Sequence, residues 1–141
     1  MKNFLKFILF LILSIFDKKH NYIIFTPNLT FFKLFKVLIY DKTKKVFFSY
    51  RIRNKYDYIT INEIYFHQSY EIKNFKFFEK ISPDIDNKNL LIVDCGSNIG
   101  CSTNFFLRNY ENSKVISIEP DKESFDLLNK NIFDLQRVEL I

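Results

Sequence analysis

Residues 90–121 read LLIVDCGSNIGCSTNFFLRNYENSKVISIEPD. The chain has two glycines in 141 residues, and both, Gly96 and Gly100, fall in this stretch. In a sequence so poor in glycine, two within five positions mark a backbone need. Ahead of them Leu90-Leu91-Ile92-Val93 is an apolar run of strand length, unbroken by polar residues, which is how a strand covered on both faces reads. Cys101 to Asn109 suits a helix, and Val115 to Ile118 suits a second strand that ends at an acid, Glu119. The order strand, glycine turn, helix, strand predicts a βαβ unit.

The residue types at the turn narrow the chemistry. Gly96 can take positive φ because it has no Cβ, so the chain can leave the strand sharply. Gly100 lets a ligand or the next helix come close to the backbone. Amide N–H groups at the helix start favour an acceptor-rich or anionic ligand. Glu119 follows Gly100 by 19 residues, near the spacing expected between a glycine turn and the acid that accepts hydrogen bonds from a ribose. The stretch therefore reads as the opening of a Rossmann-like nucleotide-binding unit. A dinucleotide fingerprint would be G-x-G-x-x-G. Here the spacing is G-x-x-x-G, with Asn98 in place of the middle glycine that lets a backbone press against a pyrophosphate, which argues against NAD or FAD. Asp94, ahead of the loop, suits a ligand with a cationic end. S-adenosylmethionine carries a sulfonium and an ammonium and no phosphate.

VDCGSNIGCST followed by VISIEPDKESFDLLNKN resembles the first two motifs of class I S-adenosylmethionine-dependent methyltransferases. Within that class it is most similar to the FkbM type, whose pattern is roughly I-D-x-G-A-N-I-G, a helix, then a strand ending in E-P. Asp94, Gly96, Asn98, Ile99 and Gly100 match the first motif, and Glu119-Pro120 the second; Ser97 stands where the family usually has Ala. The resemblance covers Leu90 to Ile132, is weaker from Tyr58 to Tyr70, and is absent before that. It implies that Asp94, Gly96, Ser97, Asn98 and Gly100 form the methionine-side loop and that Glu119 holds the ribose. It also implies methyl transfer to a hydroxyl of a glycan or small metabolite. Tyr70 is the residue that would approach the cofactor, although a packed aromatic is the plainer reading of it. None of the matched motifs contains a catalytic base, and His67, a lone histidine on a helix, reads as structural or exposed.

A hydrophobic content of 48% is ample for one core of ordinary domain size. Charge is uneven. Residues 1–81 hold 15 Lys/Arg against 6 Asp/Glu, and residues 82–141 hold 6 against 10. The basic half favours a membrane surface or an acidic partner, or is simply a solvated face. From Phe31 to Tyr56 there are 8 Lys/Arg and one acid among aromatics, but no nucleic-acid module fits, and no nucleic acid is expected as a partner. Cys95 and Cys101 have no Cys or His at metal-ligand spacing. A disulfide between them would pinch the loop, so both are expected as buried free thiols in a reducing compartment, with no metal.

Taken in order, the chain divides into an apolar helix over 1–20, an α+β region over 21–88 and the nucleotide half over 89–141. The 13 residues from Phe4 to Phe16 are almost all apolar and would span roughly 20 Å as a helix, short of a bilayer core. No small-residue cleavage site follows, which leaves a buried helix or one lying at a membrane surface. Tyr22 to Phe25 reads as a strand stopped by Thr26-Pro27-Asn28. Val37 to Tyr40 and Val46 to Arg51 read as a β-hairpin, without the usual glycine. Thr60-Ile-Asn-Glu63 has the form of a capping box, predicting a helix from there to about His67 with Ile61, Ile64 and Tyr65 inward. Ile72 to Phe78 reads as a strand, and Ser82 to Asn89 as a polar connection. Pro120 is expected in the first turn of a helix from Asp121 to Asn131, with Phe125, Leu128 and Ile132 on its inner face. Val138 to Ile141 starts a third strand.

The fold expected is α/β: an incomplete Rossmann-like parallel sheet of two to three core strands behind an N-terminal helix and hairpin region. The resemblance implies about seven strands, so the reading is a truncated enzyme, taken over a fragment of a longer protein or half of a two-chain assembly, and inactive alone. It is expected in the cytoplasm, with residues 1–16 available to a membrane. The alternative is a non-enzymatic, membrane-associated or interaction protein with a vestigial nucleotide half.

Overall fold

Apolar residues in the two short runs after residue 88 pair as parallel strands, and the connection between them is helical, as a parallel crossover requires. The computed structural model describes residues 13, 14, 16–25, 36–72, 75, 76 and 89–141. Its elements are β1 (Tyr22–Phe25), β2 (Lys36–Asp41), β3 (Val46–Arg51) and α1 (Lys55–Ile61), which runs into a π-helical turn, Asn62–Phe66. Then come β4 (Leu91–Cys95), α2 (Cys101–Asn109), β5 (Lys114–Ile118), α3 (Lys122–Asn131), a 3-10 turn at Leu135–Arg137, and β6 (Val138–Leu140). The fold is mixed α/β, with one antiparallel sheet in the order β1-β2-β3 and one parallel sheet in the order β4-β5-β6.

The antiparallel sheet turns Tyr22, Ile24, Val37, Ile39 and Tyr50 inward, onto Ile61, Ile64 and Tyr65. The same core takes in Ile99, Cys101 and Phe105, so the N-terminal sheet and the start of α2 share one apolar interior. Buried Tyr50 and Tyr65 hydrogen-bond to each other through their hydroxyls, and Tyr65 also donates to the Cys101 carbonyl at 3.3 Å. Burial pushes both phenols well above their ordinary pKa, which keeps them neutral. A second core joins α2, α3 and one face of the parallel sheet through Leu107, Val115, Leu128 and Ile132.

The hairpin needs no glycine because Asp41 does the turning. Its Oδ1 accepts from the Thr43 and Lys44 amides and the Thr43 hydroxyl, at 2.9, 3.0 and 2.6 Å. Lys45 supplies the left-handed residue at φ +56°.

Four readings change. The helix expected from Thr60 starts earlier, because Asn54 caps α1 by accepting from the Tyr56 and Asp57 amides at 2.8 and 3.3 Å. Thr60 lies inside it and donates to the Tyr56 carbonyl at 3.2 Å; Ile61, Ile64 and Tyr65 are buried as expected. Pro120 stands outside α3, since Asp121 is the cap residue. β4 is not covered on both faces: Leu91 is 66% and Val93 55% exposed. Both helices of the parallel sheet pack on the face carrying Ile92 and Val115, and strand alternation turns Leu91, Val93 and Cys95 to the other side. Ile72 is in a helical turn rather than a strand. The rest of that predicted strand lies largely outside the described residues, as do the turn Thr26 to Asn28, nearly all of the polar connection to Asn89, and most of the apolar helix over Phe4 to Phe16. Among the described residues no helix is long and apolar enough to cross a membrane.

Asn131, at the end of α3, locks the N-terminal sheet to the parallel half. Its Oδ1 accepts from the Arg51 amide at 2.9 Å, and its Nδ2 donates to the Arg51 and Ile99 carbonyls at 3.0 and 2.9 Å. The side chain thus serves β3 as a further strand would. Asn131→Ala leaves these backbone groups without that partner and is expected to cost about 2–3 kcal/mol, read as a lower urea midpoint at unchanged slope.

Candidate functional site

The bend between β4 and α2 is built from left-handed residues. Gly96 has φ +78°, Asn98 +48° and Gly100 +86°. Asparagine is among the few side chains that visit this region readily, so Asn98 takes the left-handed conformation without being a glycine. The Gly96 and Ser97 amides donate to the Ile118 carbonyl at 2.9 and 3.1 Å. That ties the bend to the end of β5 and brings Glu119 beside it.

Glu119 is half-buried, and both its carboxylate oxygens are held by backbone amides. Asn98 N–H donates to Oε2 at 2.7 Å and Asp121 N–H to Oε1 at 2.9 Å. An ionised carboxylate offers about four acceptor positions, so capacity remains for a pair of ligand hydroxyls. A Cβ built on Gly96 meets nothing within 4 Å: the space in front of the bend is open. The Glu119 carboxylate, beside the open approach at Gly96, can accept hydrogen bonds from ligand hydroxyls.

The remaining predicted residues face inward. Asp94 is buried, and its Oδ2 accepts from the Ser102 and Thr103 hydroxyls at 2.7 and 2.6 Å. The Thr103 hydroxyl also meets that of Ser117 at 2.9 Å. Thr103 has one proton, which goes to the carboxylate, so Ser117 is the donor to Thr103. Asp94 thus fastens β4 and β5 to α2. Ser97 is buried and donates from Oγ to the Asp94 carbonyl at 2.8 Å. At Gly100 a Cβ would lie 2.8 Å from Leu128 Cδ1 and 3.1 Å from Ile132 Cδ1. At Gly100 the element in close approach is α3 and the residue after it. Both cysteines are free, but only Cys101 is buried; Cys95 is exposed on the open face. Burial, with Asp57 and Asp94 adding to it, pushes the Cys101 thiol well up. Tyr70 is exposed and lies edge-on to Phe106 at 5.7 Å, and His67 is exposed.

Arg53 was not legible as part of this site. Its Nη2 donates to Asn98 Oδ1 at 3.0 Å and to Asp57 Oδ1 at 2.9 Å, and its Nη1 donates to Ser124 Oγ at 2.9 Å. The pair Arg53 and Asp57, four apart on either side of the capping Asn54, is visible in the sequence. The contact with Asn98, 45 residues away, is not. The basic segment around it is also internally engaged: Lys42 reaches the Ser14 and Asp17 carbonyls, and Lys44 the Arg108 carbonyl and Glu111.

Elsewhere a cavity of about 260 Å³ is lined by Asp17, His20, Tyr58, Asn62 and Phe66, among others. The Asp17 carboxylate bonds His20 Nδ1, which holds the acid below its usual pKa range. His20 stacks flat on Phe66 with centroids 4.3 Å apart, so this ring is buttressed on one face.

The two glycines should respond differently to substitution. Gly96→Ala meets only backbone strain, about 1–2 kcal/mol. Gly100→Ala adds overlap with Leu128 and Ile132, a further 1–3 kcal/mol or so, and denaturant unfolding of the pair reads the difference. Asp121, which caps α3, has its carboxyl held below the usual range by the Ser124 amide and hydroxyl. Its folded pKa is thus below the unfolded value of 3.8. Its stabilising effect is present above pH 4 or so and is lost as pH falls through the folded value, so Asp121→Ala should flatten the acid limb of a stability–pH curve. No family model and no curated protein sequence matches this chain.

Proposed function

We propose that the chain binds S-adenosylmethionine at the Gly96 bend, in a Rossmann-like arrangement, as the cofactor half of an FkbM-like O-methyltransferase acting on a glycan or small-metabolite hydroxyl. The observation that carries this reading is the meeting of Asn98 N–H and the Glu119 carboxylate at 2.7 Å beside the open face of Gly96. A carboxylate at the end of the second parallel strand is the acceptor a ribose diol requires. When bound, S-adenosylmethionine supplies an electrophilic methyl group on a sulfonium. The work of this chain's residues is orientation: Glu119 fixes the sugar, Gly96 leaves room, and the Asn98 amide keeps Glu119 in place, an entropic contribution to transfer. No residue described here is assigned the role of base. The surroundings proposed are cytoplasmic, with membrane contact through residues 1–16.

A second reading, a non-enzymatic interaction protein, is favoured by the exposed Leu91 and Val93 on the open face of the parallel sheet, since an apolar patch of that kind marks contact surfaces. Calorimetric titration with S-adenosylmethionine separates the two. Saturable binding that weakens roughly tenfold or more in Glu119→Gln, which keeps the size and loses the charge, supports the first. A folded chain that takes up none at millimolar ligand overturns it and leaves the second.

A further inference from the structure

We propose that Arg53 is a positioning residue that sets the shape of the bend from outside it. Asp57 is buried and receives Arg53 twice from the side chain, at 3.1 Å from Nε and 2.9 Å from Nη2, and once from the Arg53 amide at 2.7 Å. The guanidinium is therefore fixed in plane by the first turn of α1. Its outward edge carries the contacts to Asn98 Oδ1 and Ser124 Oγ, and Asp121 Oδ2 lies 3.6 Å away. The charge is matched by Asp57 and Asp121, so the fork acts as a jig and not as an anion receptor. What it holds is the side chain of the one left-handed non-glycine residue in the bend, Asn98 at φ +48°. Asn98 has rotational freedom of its own only while that side chain is loose. With Oδ1 pinned on one side, its N–H stays aimed at Glu119 on the other. A planar, five-donor fork can make these contacts together, whereas a lysine ammonium cannot reproduce the geometry.

The test is amide hydrogen exchange by NMR on the full chain as Arg53→Lys, Asn98→Gly and the double variant. Glycine takes the left-handed conformation without a side-chain anchor, so it removes the need for the jig without adding strain. Arg53→Lys is expected to speed exchange of the residue-98 amide by about tenfold, with the Val115 and Leu128 amides within about twofold of the native chain. In the Asn98→Gly background the same change should add less than about twofold. An unchanged residue-98 rate in Arg53→Lys overturns the inference. So does equal loosening of Val115 and Leu128, which would make Arg53 merely a stabiliser, or the same acceleration in both backgrounds. If Arg53→Lys does not fold, Ser124→Ala and Asp57→Asn, each of which loosens the guanidinium from one side, replace it under the same criteria. These measurements need no ligand, so they stand whether or not S-adenosylmethionine binds.

Discussion

One hydrogen bond holds the candidate site together: the Asn98 amide on the Glu119 carboxylate, at 2.7 Å. It joins the bend that follows β4 to the residue that ends β5, two places 21 residues apart in the chain. A charged acceptor makes such a bond about twice as strong as a neutral one, and the half-buried position limits competition from water. The geometry demands a backbone that turns back on itself, which explains three left-handed residues in five positions. The Gly96 and Ser97 amides on the Ile118 carbonyl close the same junction from below.

Around that junction the molecule is braced by polar side chains whose own needs are met. Asp94 gathers two hydroxyls from α2. Asn131 spans β3 and the residue before Gly100. Arg53 and buried Asp57 form an ion pair at 2.9 Å, the kind of contact that is costly to break because the surviving charge is left desolvated. Asn131, and Arg53 through its contact with Asn98, link elements distant in sequence and make the N-terminal sheet part of the site's support. The apolar interior shared by Tyr50, Tyr65, Ile99 and Phe105 supplies the non-directional part of the same connection.

The parallel sheet is asymmetric. One face is sealed by α2 and α3, while the other presents Leu91 and Val93 to solvent. Strands of an all-parallel sheet are usually covered on both sides. The apolar run Leu90 to Val93 has the composition of a covered strand, and composition alone does not say which of its two faces has found a partner.

Local patterns in the sequence determined a good deal. β1 and β3 stand at the predicted residues, the hairpin is where the two strand-like runs placed it, and the inner faces of α1 and α3 follow helical spacing. The strand, glycine bend, helix, strand order was legible too, because apolar runs and positive-φ residues act over a few positions and leave a local imprint. The start of α1 was misplaced because two capping signals compete within seven residues, Asn54 and Thr60, and the earlier one captured the free amides. What only the tertiary structure decided is where side chains spend their bonding capacity. Asp94 turns to hydroxyls of α2, Gly100 makes room for Leu128, and Arg53 reaches Asn98. The contact of Arg53 with Asn98 spans 45 residues, and no local pattern encodes which atoms the fold will bring together.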